Sequence, residues 1–298
     1  MSHIVRRSIL MTLVLALVTF PMFAGGPGQV ASDTHSWGGY HWGRTANPFT
    51  LRLGDNLTSA DWKGHLSQTV SDWNAGNTPV RTTIVAGTSN KRCSMVAGTT
   101  QVCNSRYGNN GWLGLASINL SGSHISQGSA KMNDTYFDTA TYNNTNEREH
   151  VMCQEVAHTF GLDHQSTDGS SQNSCMDYFS NTGSNAGSTL STKPNQHDFD
   201  ELNTIYAHLD SVNTYSLQAT LNNKAASLSV PTRWVGDDLT EVWQLGTPVE
   251  WDHKGRATTF VLSLGTNHEG QDETILSHIF WADDDVDPIT RTAKTRDE

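Results

Sequence analysis

The sequence has 298 residues, 36% hydrophobic and 16% charged, enough for one full-sized core and a small appendage rather than several domains. Its formal net charge is −11. The basic residues are scattered singly, with no stripe and no interleaved aromatics, so a phosphate backbone is repelled and nucleic-acid binding is excluded as a function class.

In chain order, Arg6 and Arg7 precede an apolar run over residues 9–20, Pro21 breaks it, and small residues follow over 24–32. This is the pattern of a secretory signal peptide, expected to span residues 1–32, and its apolar run is shorter than the ~20 residues a membrane-spanning helix needs. No second apolar stretch approaches that length, so the processed chain is expected outside the cell with no membrane partner. Export permits disulfides. The four cysteines, Cys93, Cys103, Cys153 and Cys175, allow three pairings, of which Cys93 with Cys103 and Cys153 with Cys175 is the expected one. No cysteine precedes Cys93 to cap a metal, and no C-x-x-C spacing points to a zinc thiolate site.

Residues 49–53 alternate in strand fashion, and Thr58 with Asp61 three residues on has the form of a capping box. Trp62, Leu66, Val70 and Trp73 then recur at helical spacing until Gly76 and Pro79 close the element. A strand follows over 80–85, and Cys93 and Cys103 bracket a short loop or hairpin. Residues 108–146 are rich in Gly, Ser, Asn and Thr, with strand-like islands at 112–120 and 131–137 that read as edge strands between turns. Asn146 offers an N-cap, Glu147 lies in the first turn with Glu149 beyond it, and Val151, Val156, Ala157 and Phe160 supply the apolar face of a helix that Gly161 stops. A polar loop leads to Pro194. Phe199, Leu202, Ile205, Tyr206 and Leu209 define a further amphipathic helix ending near Asp210. Beyond residue 211 the pattern changes to short alternating runs at 226–230, 240–245, 258–264 and 274–281, a small β-rich region over 211–282. A charged tail, expected to be loose, occupies 283–298.

On a helix, positions 154 and 158 lie one turn apart on the same face, so two metal-binding side chains there can share one ion. Glu155, one step round, is placed to take a proton from a water at that ion. Gly161, lacking a Cβ, lets the chain reverse and return His164 to the same point, and three protein ligands leave a fourth position open. Gln154 stands where a first histidine is expected. A carboxamide oxygen is a poorer zinc donor than imidazole, so affinity is expected to fall, although an uncharged ligand leaves the ion its full charge. His150, a helical turn earlier, reads as a surface histidine near the helix start.

The run Gln154-Glu155-Val156-Ala157-His158-Thr159-Phe160-Gly161-Leu162-Asp163-His164 resembles the extended zinc signature of the metzincins, the matrixins above all, with Gln154 in place of the first histidine. Ser174-Cys175-Met176-Asp177-Tyr178 resembles their Met-turn, with Met176 beneath the metal, and the tyrosine two residues on is similar to that of astacins and serralysins. The resemblance covers roughly residues 49–210. It implies an α+β catalytic domain over 36–210: a mixed twisted sheet, an active-site helix, the Met-turn and a closing helix. It implies a secreted endopeptidase with one catalytic zinc on Gln154, His158 and His164, Glu155 as general base and Tyr178 near the oxyanion. Structural calcium is not indicated. A protein or peptide substrate is expected to add as a strand along residues 131–137. The alternative is a secreted binding protein that keeps the scaffold without turnover. If the active-site helix and the Met-turn flank one metal, a Cys153–Cys175 bond would staple them together.

Overall fold

A computed structural model describes residues 34–88, 92–216, 242–267 and 270–282; the expected signal peptide, the run 226–230 and the charged tail lie outside the described residues. The chain is α+β, with one nine-stranded mixed sheet and four α-helices among the described residues. Strand β1 (His41–Trp42) pairs in parallel with the start of β6 (His124–Asn133). Strand β2 (Phe49–Asn56) lies between β3 (Val80–Ala86) and β4 (Thr99–Ser105), parallel to both, and β4 runs parallel to β6. Strand β5 (Trp112–Ser121) then reverses direction against β6. Its other edge is covered by β9 (Asp272–Trp281), followed by β8 (Ala257–Thr266) and β7 (Thr247–Trp251), all antiparallel. The described strands of the β-rich region expected over 211–282 thus extend the same sheet.

Helix α1 (Ala60–Ala75) buries Trp62, Leu66 and Trp73 as its period predicts. Its cap is Ser59, whose hydroxyl accepts from Trp62 N at 3.2 Å. Thr58, the expected cap, is engaged elsewhere, with its amide and hydroxyl both bonded to Asn104. Helix α3 (Thr145–His158) likewise starts earlier than expected, because Asn144 Oδ1 accepts from Glu147 N at 2.9 Å while the Asn146 side chain donates to Ala186 O. Helix α4 (Gln196–Ile205) opens with a full capping box on Asn195 and Asp198 and ends short of Asp210.

Strands β5 and β6 are interior, not the edge strands their polar composition suggests. Several of their small hydroxylic and amide residues are buried and bonded within the sheet: Ser117 Oγ meets Ser277 Oγ at 2.8 Å, and Asn119 donates to Ser126 Oγ. The second island does not continue as a strand to residue 137. Asn133 accepts from Thr135 N and opens a short helix, α2 (Asp134–Phe137). Residues 242–245 form a 3-10 turn rather than a strand. The main core lies between the sheet and α1, α3 and α4. A second cluster on the other face joins Trp112 and Leu115 of β5 to Phe260 of β8 and to Ile279 and Trp281 of β9. Both cysteine pairs are disulfides, Cys93–Cys103 and Cys153–Cys175.

Candidate metal centre

Helix α3 packs against β5 and β6 and buries Glu147, His150, Gln154, Glu155 and His158 as well as its apolar residues. Burying so many polar groups on one helix is costly unless each finds a partner. Most do. His150, expected at the surface, is fully buried, with Nδ1 against Asn181 Oδ1 and Nε2 against Asp177 O, both at 3.1 Å. The helix is covered at this end by the turn bearing Met176 and by β9, so a position near its start is not a surface position.

The exceptions converge. His158 Nδ1 donates to Leu162 O at 2.9 Å and His164 Nδ1 donates to Asp163 Oδ1 at 3.0 Å, while the Nε2 atom of each is buried without a hydrogen-bond partner among the described residues. A third imidazole joins them: His278 of β9 contacts Tyr178 Oη through Nε2 at 2.9 Å and leaves Nδ1 without a partner. The three histidines each offer one ligand atom, and these lie within 4.8 Å of one another. Each ring is oriented by a bond at its other nitrogen, which is how ligand imidazoles are held. Burial pushes His158 and His278 well below the usual histidine range, and the neighbouring imidazoles add to the effect, so both rings are neutral with a lone pair to offer.

Glu155 completes the cluster. Both its carboxyl oxygens are buried without a hydrogen-bond partner, and Oε2 lies 3.5 Å from His278 Nδ1. Burial pushes its carboxyl well above the usual range. Trp37, from the segment before β1, stacks on His158 with ring centroids 4.6 Å apart. That segment is fastened to the loop by the bond from Trp37 N to Gly161 O and by the bond from Asp163 N to His35 O. Gly161 has φ +96°, and a Cβ there would stand 2.0 Å from Tyr40 O, so the reversal that returns His164 to the helix needs glycine.

Gln154 has a different task from the one expected of it. Its Nε2 donates to Cys175 O and to Asp177 O, both at 2.8 Å, which ties α3 to the turn bearing the buried Met176; the Cys153–Cys175 disulfide ties the same two elements covalently. Only its Oε1, buried and without a partner among the described residues, is left to face an ion. The third imidazole of the cluster is that of His278, 114 positions after His164. The signal was present: Leu276, His278 and Phe280 alternate on one face of a strand, and a histidine in a core row is exceptional. What sequence spacing lacks is the pairing of β9 with β5, which sets His278 opposite Ala116 and next to the helix.

The expected substrate strand is corrected here. Residues 131–133 are in β6, inside the sheet, and 134–137 are helical, so neither offers a free edge. The antiparallel strand bordering the site is β5, and β9 already occupies its outer edge from Trp112 to Ser121. No protein-family model matches the chain, and no curated protein matches it.

Proposed function

We propose that the chain is a secreted zinc-dependent endopeptidase of the metzincin type, with His158, His164 and His278 as its zinc ligands. The observation that carries this reading is the convergence of three buried imidazole nitrogens that lack a hydrogen bond beside the buried carboxyl of Glu155. Three histidines suit zinc and leave one position open. When bound there, zinc supplies Lewis acidity toward a carbonyl oxygen and toward a water.

The chain's own residues supply the rest. Glu155, whose carboxyl lies beside the three imidazoles, takes a proton and returns it to the leaving amine. Tyr178, whose hydroxyl lies against His278, orients that ring and stands near the position of a developing oxyanion. The two disulfides support an oxidising compartment, and no helix among the described residues is long and apolar enough to cross a membrane.

Glu155, His158 and His278 are each 0% exposed, so a peptide reaches them only when the segments covering the site open while β9 stays paired to β5 and keeps His278 in place. This favours a closed, latent form of the enzyme, and it is also what supports the alternative of a non-catalytic secreted protein that keeps the metal. Metal analysis of the full-length chain, with cleavage of an unfolded protein by the zinc-loaded chain in plain buffer and in sub-denaturing urea, separates the two. Zinc-dependent cleavage that chelation abolishes and Glu155→Gln removes supports the endopeptidase. A zinc-loaded chain inert in both conditions leaves the non-catalytic reading.

A further inference from the structure

A second group of imidazoles sits around Asp210, built from residues that the first centre does not use. His41 Nε2 and His208 Nε2 face each other at 3.1 Å, and each faces Asp210 Oδ1, at 3.4 Å and 3.3 Å. His124 Nε2 reaches the same oxygen at 3.2 Å. We propose that His41, His208 and Asp210 bind a second zinc-class divalent ion, with His124 holding the shared carboxylate oxygen.

The triangle of donor atoms is the first support. Zinc bonds of about 2.0–2.1 Å in tetrahedral array set neighbouring donors roughly 3.3–3.4 Å apart, and the three edges here are 3.1, 3.3 and 3.4 Å. Proton counting is the second. His41 Nδ1 lies 2.8 Å from Gly39 O; the carbonyl has no hydrogen to give, so Nδ1 carries the ring proton and the neutral ring presents a bare Nε2 lone pair to both His208 and the carboxylate. Three imidazole nitrogens crowd one carboxylate oxygen, which has two lone-pair sites to offer. Hydrogen bonds alone leave at least one of these contacts lone pair against lone pair. A cation at the centre of the triangle is bonded by His41, His208 and Asp210 and leaves His124 to donate to the shared carboxylate oxygen.

The surroundings are those of a held ligand. Asp210 Oδ2 accepts from Arg44 Nη1 at 2.6 Å and from Arg44 N at 3.1 Å, which aims Oδ1 at the imidazoles, and Arg44 also donates to His208 O. His41 is buried, while the His208 side chain is 54% exposed, so the ion has a path in from solvent and room for a water as fourth ligand. The site clasps β1, the tip of the β5–β6 hairpin and the segment after α4. It thereby fixes the N-terminal segment that carries Trp37 against His158, giving the second ion a structural role toward the first centre.

The test is a zinc titration of the full-length chain stripped with chelator, scored by bound equivalents and by thermal melting. Two equivalents are expected for the wild type, one for His208→Ala, one for His158→Ala/His164→Ala, and none for the triple variant, with zinc raising the melting temperature of the His158→Ala/His164→Ala protein. Undiminished binding in His208→Ala overturns the proposal, as does zero binding in a folded His158→Ala/His164→Ala variant. If that variant does not fold, the exposed His208→Ala decides alone. Should the wild type bind one equivalent only, its loss in His208→Ala supports the second site and its retention rejects it, whatever becomes of the endopeptidase reading.

Discussion

A β-carbon at Gly114 of β5 would stand 2.5 Å from Oε1 of Glu155 and 2.7 Å from Cγ1 of Val151. The strand forgoes a side chain where the helix places its carboxylate. Gly114→Ala is therefore expected to push Glu155 out of position while leaving the three imidazoles in place, and displacing a reacting group by an ångström costs about ten- to a hundred-fold in rate. Steady-state cleavage with parallel zinc analysis checks it: a lower kcat at unchanged zinc content is expected, and full activity shows that Glu155 is not the base.

His278 carries the sharpest consequence of the third-ligand assignment. His278→Ala is expected to weaken zinc at the first centre by about ten-fold or more, the usual cost of losing a ligand or its support, while Tyr178 loses the partner of its hydroxyl. Competition with a zinc chelator measures it. An unchanged affinity would return the third position to Gln154.

Gln154→Glu keeps the shape of the side chain and removes both N–H donors, leaving Cys175 O and Asp177 O opposite a carboxylate. Asp177 O keeps its contact with His150 Nε2, but both carbonyls lose a donor and face a negative charge, and a buried acceptor left short of a donor costs about 1–3 kcal/mol, so a fall in stability of that order is expected in urea unfolding, with the Cys153–Cys175 bond intact by peptide mapping. Gln154→His, by contrast, is expected to tighten zinc binding if Oε1 faces the ion, at some cost to the turn.

Burial raises the Glu149 carboxyl above its ordinary value, an effect that the His65 imidazole at 2.5 Å only partly opposes. The folded chain thus holds this proton to higher pH than the unfolded chain does. Its contribution to stability is complete below the ordinary glutamate value of about 4.3 and is lost as pH rises through the folded value. Glu149→Gln, which cannot ionise, is expected to match the wild type near pH 4 and to gain on it as pH rises toward neutrality. Melting temperatures of the two proteins across that range check the sign.

The sequence by itself determined the local pieces. The period of Trp62, Leu66 and Trp73 marks α1, and the spacing of Glu155, His158, Gly161 and His164 joins a helix face to a reversal that brings His164 back beside His158; both features are short-range and written in neighbouring residues. Only tertiary structure decided what lies across the sheet. His278 is 114 positions after His164 by numbering, and nothing local says that β9 pairs with β5 rather than starting a sheet of its own. The polar composition of 108–146 read as turns and edge strands because hydroxyls and amides favour turns in isolation; in the fold β5 and β6 are interior, and Ser117 meets Ser277 across the sheet. His150 read as exposed because it lies near a helix start, whereas the turn after Met176 and β9 cover it. His41, His208 and Asp210 share no periodicity at all. Their donor atoms meet because β1 pairs with β6 while the segment after α4 returns to Arg44, and sequence spacing carries no record of a contact made by chain closure.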